Sequence, residues 1–99
     1  MAEFHLTNKA VQDLKEIWVY TFKEWDEEQA DEYYHILLEG CQDAADNPLL
    51  GKNYESIING LFGLNVIKHI IFYRVFEPQK VEIIRILHEK MDLKQKMTK

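Results

Sequence analysis

Residues 3–6, Glu-Phe-His-Leu, alternate polar and apolar, the pattern of a short strand with one buried face. Thr7 and Asn8 follow, residue types whose side-chain oxygens cap helices. Val11, Leu14, Ile17, Trp18, Thr21, Phe22 and Trp25 then recur at spacings of three and four. That is one face of an amphipathic helix, with Asp13, Lys15, Glu16, Lys23 and Glu24 mostly elsewhere around it. Asp26 is the natural N-cap of a second helix, with Gln29 three residues on to return the bond and Glu27 and Glu28 suiting the positive end of the dipole. Its apolar face is Ala30, Tyr33, Tyr34, Leu37, Leu38, Cys41, Ala44 and Ala45. Asn47-Pro48 ends it, because proline disfavours the helical region for the residue before it. Almost nothing links the two helices, so an antiparallel helix hairpin is expected.

Residues 48–60 read as a loop, with Gly51, Asn59 and Gly60 supplying turn chemistry and Leu49, Leu50, Ile57 and Ile58 pinning it to the core. Strand formers take over from Leu61. Leu61 to Lys68, His69 to Phe76 and Val81 to His88 are the predicted strands, with Glu77-Pro78-Gln79-Lys80 as a tight connection. Alternation puts Ile71, Tyr73 and Val75 on one face of the second of these. It puts Val81, Ile83, Arg85 and Leu87 on one face of the third, and Glu82, Ile84, Ile86 and His88 on the other. Short connections favour antiparallel pairing. The tail, Glu89 to Lys99, leaves two readings, a short helix or a mobile extension. The order β-α-α-β-β-β predicts one α+β domain over residues 1–99, a two-layer fold with the helix hairpin packed on an antiparallel sheet.

Composition narrows the function classes. At 99 residues, 46% of them hydrophobic, the chain holds one modest core rather than disorder or several domains. The single cysteine, Cys41, makes no disulfide framework, and the four histidines are scattered without metal-ligand spacing. No cofactor or metal is expected. The opening MAEFHLTNKA has acidic Glu3 and no apolar run, so no secretory leader is expected. Val66 to Phe76 is too short and too charged to span a bilayer. A cytoplasmic protein is the expectation.

The net charge of −5 is uneven. Residues 1–50 carry 3 Lys and Arg against 12 Asp and Glu, and residues 51–99 carry 9 against 5. The acidic hairpin is no surface for a nucleic acid, whereas the C-terminal half suits an acidic partner. Phosphate loops, nucleophile elbows and Cys-x-x-Cys pairs are absent. Asp31 and His35, four apart on a helix, read as a surface pair rather than a metal site. Arg74, Arg85 and His88 are the one polar set with catalytic potential, a pair of guanidinium groups to bind phosphate and an imidazole to move a proton. The plainer reading pairs both arginines with acidic groups on the same sheet. Trp18, Tyr20, Phe22, Trp25, Tyr33 and Tyr34 crowd the hairpin, more aromatic surface than a small domain readily covers.

Four segments carry a resemblance. They are Leu6-Thr7 ahead of Asp13-Leu14-Lys15-Glu16-Ile17-Trp18-Val19-Tyr20-Thr21; Asn47-Pro48-x-x-Gly51; His69-Ile70-Ile71-Phe72-Tyr73-Arg74-Val75; and Ile83-x-Arg85-Ile86-Leu87-His88-x-x-Met91-Asp92. In that order they resemble the ParE toxins of the RelE/ParE superfamily, the toxic half of type II toxin–antitoxin pairs. The resemblance implies the RelE/ParE-like fold and inhibition of DNA gyrase by binding. It also implies neutralisation by a ParD-like antitoxin, whose own N-terminal part binds DNA. Sequence-specific DNA binding by this chain itself is not expected. With the resemblance, Arg85, His88, Met91, Asp92 and Lys94 become the expected target contacts, and Trp18, Phe22, Trp25 and Tyr33 the expected antitoxin contacts, with no catalytic residue. The alternatives are a ribosome-dependent endoribonuclease using Arg74, Arg85 and His88, and a non-toxic module that only binds antitoxin.

Overall fold

Thr7 turns the chain from strand into helix. In the computed structural model, which describes residues 2–98, β1 (Glu3–Leu6) ends just before it and α1 (Asn8–Glu24) begins just after. The Thr7 hydroxyl accepts from the Ala10 amide at 3.1 Å and donates to the Ile84 carbonyl at 2.8 Å. One side chain thus caps the helix and anchors it to the sheet. α2 (Glu27–Asp46) starts at Asp26, whose carboxylate accepts from the Gln29 amide at 2.8 Å. A 3-10 turn (Pro48–Leu50), β2 (Lys52–Asn53), β3 (Phe62–Val66), β4 (His69–Glu77), β5 (Lys80–His88) and α3 (Leu93–Thr98) complete the order.

The five strands lie in the order β1-β5-β4-β3-β2. β2 to β5 pair antiparallel with their neighbours, but β1 runs parallel to β5, Glu3 opposite Lys80 and Leu6 opposite Ile83. The sheet is therefore mixed, not wholly antiparallel as the short connections predict. Connection length governs only strands that follow one another. β1 finds its partner far along the chain (Thr7 and Ile84 are 77 residues apart), and no local signal marks that pairing.

A bulge in β5 changes which residues face which layer. Tyr73 pairs with Ile83 and Phe72 with Arg85, so Ile84 is an extra residue. Val81, Ile83 and then Ile86 join the core beneath the hairpin, with Ala10, Leu14, Leu37 and Cys41. Ile84 and Leu87 belong to the opposite cluster, with Leu61, Ile70 and Phe72. Strict alternation placed Leu87 with Val81, and the bulge shifts that phase by one residue. The second cluster is covered by Tyr54, Ile57 and Ile58 of the long loop and by Leu93 and Met97 of α3. The hairpin-on-sheet arrangement thus gains a thin cover on its outer face, and within the tail Leu93–Thr98 is a docked helix. Among the described residues no helix is long and apolar enough to cross a membrane.

Tyr73 ties the loop to the sheet. Its ring is fully buried, and its hydroxyl donates to the Pro48 carbonyl at 2.6 Å and accepts from the Gly51 amide at 3.0 Å. A side chain at Gly51 would collide with that oxygen, so only glycine fits. Tyr73→Phe leaves both backbone groups without their partner. The expected loss is about 1–3 kcal/mol of stability, read as a lower urea midpoint with unchanged helical circular dichroism.

Candidate functional site

β1 stops opposite Ile83, so the edge of β5 has no strand beside it from Ile84 onward. Asp13 of α1 takes that place. Its carboxylate accepts from the Ile86 amide at 3.0 Å, from Arg85 Nε at 2.8 Å and from Arg85 Nη2 at 2.9 Å. Arg85 Nη1 reaches the Lys96 carbonyl of α3 at 3.5 Å. The hydrogen bond to Asp13 raises the Arg85 pKa above its ordinary value despite partial burial, so the guanidinium stays charged. The sequence pattern put Asp13 among the polar residues of α1, yet it is only 7% exposed. It tolerates burial because three donors surround it. Arg85 accordingly pairs with a helix, not with an acidic group on its own sheet.

Beside this ion pair a cleft of about 470 Å³ opens between α1 and the end of β5. Ile17 and Tyr20 form its helix wall, His69 and His88 its sheet wall, and Lys90, Met91 and Lys96 its rim. A second cleft of about 530 Å³ shares Tyr20, His69 and His88 and continues to Trp25, Ile67 and Lys68. The two form one groove, with apolar side chains (Ile17, Tyr20, Trp25) and acidic ones (Asp13, Glu16, Glu24) along α1 and its end, and cationic ones (Lys68, Lys90, Lys96) on the opposite side.

Two imidazoles meet in its middle. The rings of His69 and His88 lie edge to face with centroids 5.3 Å apart. Burial, reinforced by repulsion from His88, lowers the His69 pKa to about 4. His69 Nδ1 is hydrogen-bonded to the Tyr33 hydroxyl at 2.5 Å. Burial in turn raises the Tyr33 pKa above its usual value. His88 Nδ1 accepts from the Lys90 amide at 3.1 Å, and its carbonyl accepts from the Met91 amide at 3.0 Å. His88 therefore shapes the turn into α3.

The groove gathers some of the residues singled out from the sequence and not others. Arg85, His88 and Met91 line the first cleft. Asp92 is exposed and caps α3 through the Gln95 amide at 3.2 Å. The side chain of Lys94 lies outside the described residues. Trp25, 75% exposed, and Tyr33 line the second cleft. Trp18 stacks on Phe22 with centroids 5.3 Å apart and donates its indole N–H to Asp31 at 2.9 Å. Arg74 is exposed opposite Glu82, well along the strands from His88, and does not join Arg85. Among the described residues no group of three His, Cys, Asp or Glu is placed to hold a metal ion. Sequence reasoning missed Asp13, His69 and Ile67 as groove residues. Asp13 had a signal, since Ala10, Asp13, Leu14 and Ile17 share one helical stripe. Ile67 and His69 had none, because a tight hairpin alone brings them there.

A family model described as the ParE toxin of the type II toxin–antitoxin system parDE matches residues 4–93. The chain belongs to the ParE toxin family. Within it, this ParE-family chain is 34% identical over 94 residues to Toxin ParE1 of Mycobacterium tuberculosis, which spans 94% of this chain and 96% of the relative. It is 35% identical over 92 residues to Toxin ParE1 of Caulobacter vibrioides, with 93% and 94% covered. A solved chain titled "Chromosomal ParDE TA system from P. aeruginosa" shares the fold, with a TM-score of 0.75 at 21% identity over 89% of this chain and 96% of that one.

Two outcomes follow from this geometry. Asp13→Asn strips the charge that balances a half-buried guanidinium, so about 3–5 kcal/mol of stability should be lost, measured by urea unfolding. The His69 imidazole takes its proton near pH 6.5 when unfolded and near 4 when folded. Between those values the unfolded chain binds more protons, so stability should fall as pH drops through the window and level off below it. Partial exposure moderates the size of the effect. Urea midpoints measured from pH 7 to pH 4 should fall less steeply in His69→Asn.

Proposed function

We propose that this chain is a toxin that blocks DNA gyrase by binding it, acts in the bacterial cytoplasm and is silenced by a ParD-like antitoxin. The observation that carries the reading is the groove itself. Its exposed Tyr20, Trp25 and Met91 suit a protein partner, and its most basic side chain, Arg85, is already spent on Asp13. Arg85, His88, Met91, Asp92 and Lys94 form the target face in this reading, with Arg85 supporting it from beneath. Trp18, Phe22, Trp25 and Tyr33 form the antitoxin face at the hairpin. Neither a membrane nor a DNA sequence is a partner of the chain alone.

Binding rather than catalysis fits the disposition of the charged groups. Phosphodiester cleavage by Arg74, Arg85 and His88 needs the three around one phosphate, and Arg74 stands away from the other two. The close approach of His69 and His88 favours ribosome-dependent RNA cleavage as a second reading, since two adjacent imidazoles can divide acid and base roles between them.

The deciding assay titrates the purified chain into gyrase supercoiling of relaxed plasmid. Lost supercoiling with linear DNA is the expected result. Met91→Asp, on an exposed side chain, should raise the half-inhibiting concentration roughly tenfold. No inhibition by a chain that still binds antitoxin overturns the gyrase reading. Cleaved mRNA in a translation mixture, abolished by His88→Ala, would establish the second.

A further inference from the structure

The connection between β3 and β4 is the most economical hairpin a chain can make, two residues, Ile67 and Lys68, between the paired Val66 and His69. Ile67 takes φ +56° there. Two-residue hairpins that put a positive φ at their first position call for glycine, because a Cβ is unfavourable in the left-handed region. A β-branched side chain is the least suited of all. The strain is held from three sides. Val66 and His69 continue the ladder, the Lys68 carbonyl accepts from the Glu89 amide at 2.9 Å, and the Tyr33 hydroxyl holds the His69 ring. Burial does not reward the strained residue, since Ile67 is 63% exposed. It stands instead at the mouth of the second cleft, which Trp25 lines from the end of α1. A strained conformation held by its surroundings at the mouth of a cleft is characteristic of a binding position.

We propose that Ile67 is a docking anchor, forming with Trp25 an apolar mouth that takes an aliphatic or aromatic side chain from the antitoxin, while Lys68 pairs with a carboxylate on the same antitoxin segment. This rests on reading the chain as an antitoxin-bound toxin, and extends the antitoxin face from the hairpin to the sheet. The chemistry of the occupant follows from the charges. Among the described residues no carboxylate is ion-paired with Lys68, so it enters the groove free to take one. Glu24 stands on the α1 side of the same cleft. An acidic side chain is therefore accepted on the strand side and repelled on the helix side, which also sets the direction in which the segment lies.

The test separates stability from binding. The purified full chain and its Ile67→Gly, Trp25→Ala and Lys68→Glu variants are melted alone and titrated calorimetrically with the purified cognate ParD-type antitoxin. Ile67→Gly should melt at or above the wild-type temperature, since strain is relieved, and yet bind roughly tenfold more weakly. Trp25→Ala should lose a similar factor, and Lys68→Glu should bind more weakly with a flatter salt dependence. Wild-type affinity in Ile67→Gly overturns the proposal, as does a lower melting temperature with a parallel loss of binding, the mark of a merely structural turn. A wild-type dimer in light scattering that Ile67→Gly converts to a monomer assigns the mouth to a second copy of the chain and overturns the antitoxin as occupant. A wild-type chain that binds no antitoxin overturns the reading on which the proposal stands, and is recognised by its independence of residue 67.

Discussion

The Asp13 carboxylate does the work of a missing strand. β1 is four residues long and leaves the far end of β5 without a neighbour. An exposed edge of that kind has amides to satisfy and invites pairing with other chains. Asp13 satisfies the Ile86 amide and the Arg85 guanidinium together, which fixes α1 against the sheet where no backbone ladder could. Arg85 in turn touches α3. One buried charge pair thereby sets the spacing of three elements, and the groove is the space they leave. Apolar residues in place of the pair can pack as well, but they would not span from a helix to a strand edge with the same directionality.

Local chemistry announced much of this fold. Thr7 and Asp26 cap the helices that their residue types imply, and Pro48 closes the second. The strand formers from His69 to His88 make the long central hairpin. What stayed hidden depends on distant partners. β2 is two residues with no pattern of its own, visible only through pairing with Phe62 and Gly63. The parallel attachment of β1, the bulge at Ile84 and the resulting exchange of Leu87 for Ile86 are set by register, not by residue type. The groove was partly legible for the same reason. Met91 and His88 could be read from their segment, whereas Ile67 and His69 enter through a turn that contradicts local propensity.

The groove also brings together members of two sets of expected contacts, Arg85, His88 and Met91 from one and Trp25 and Tyr33 from the other. Tyr20, His69 and His88 line both clefts. A ligand filling either one would therefore meet side chains that also wall the other.

The parallel pairing of β1 with β5 has a consequence for the making of the protein. The hairpin of α1 and α2 is complete at Asp46, but the strand it packs on and pairs beside begins at Lys80. A nascent chain therefore carries a hairpin whose apolar face has no β5 to rest on until Lys80–His88 has been synthesised. Such long-range closure is slow and entropically costly. The incomplete chain has neither the second wall of the groove nor the Asp13–Arg85 strut. The groove is consequently among the last features to form, a lag written into the strand order.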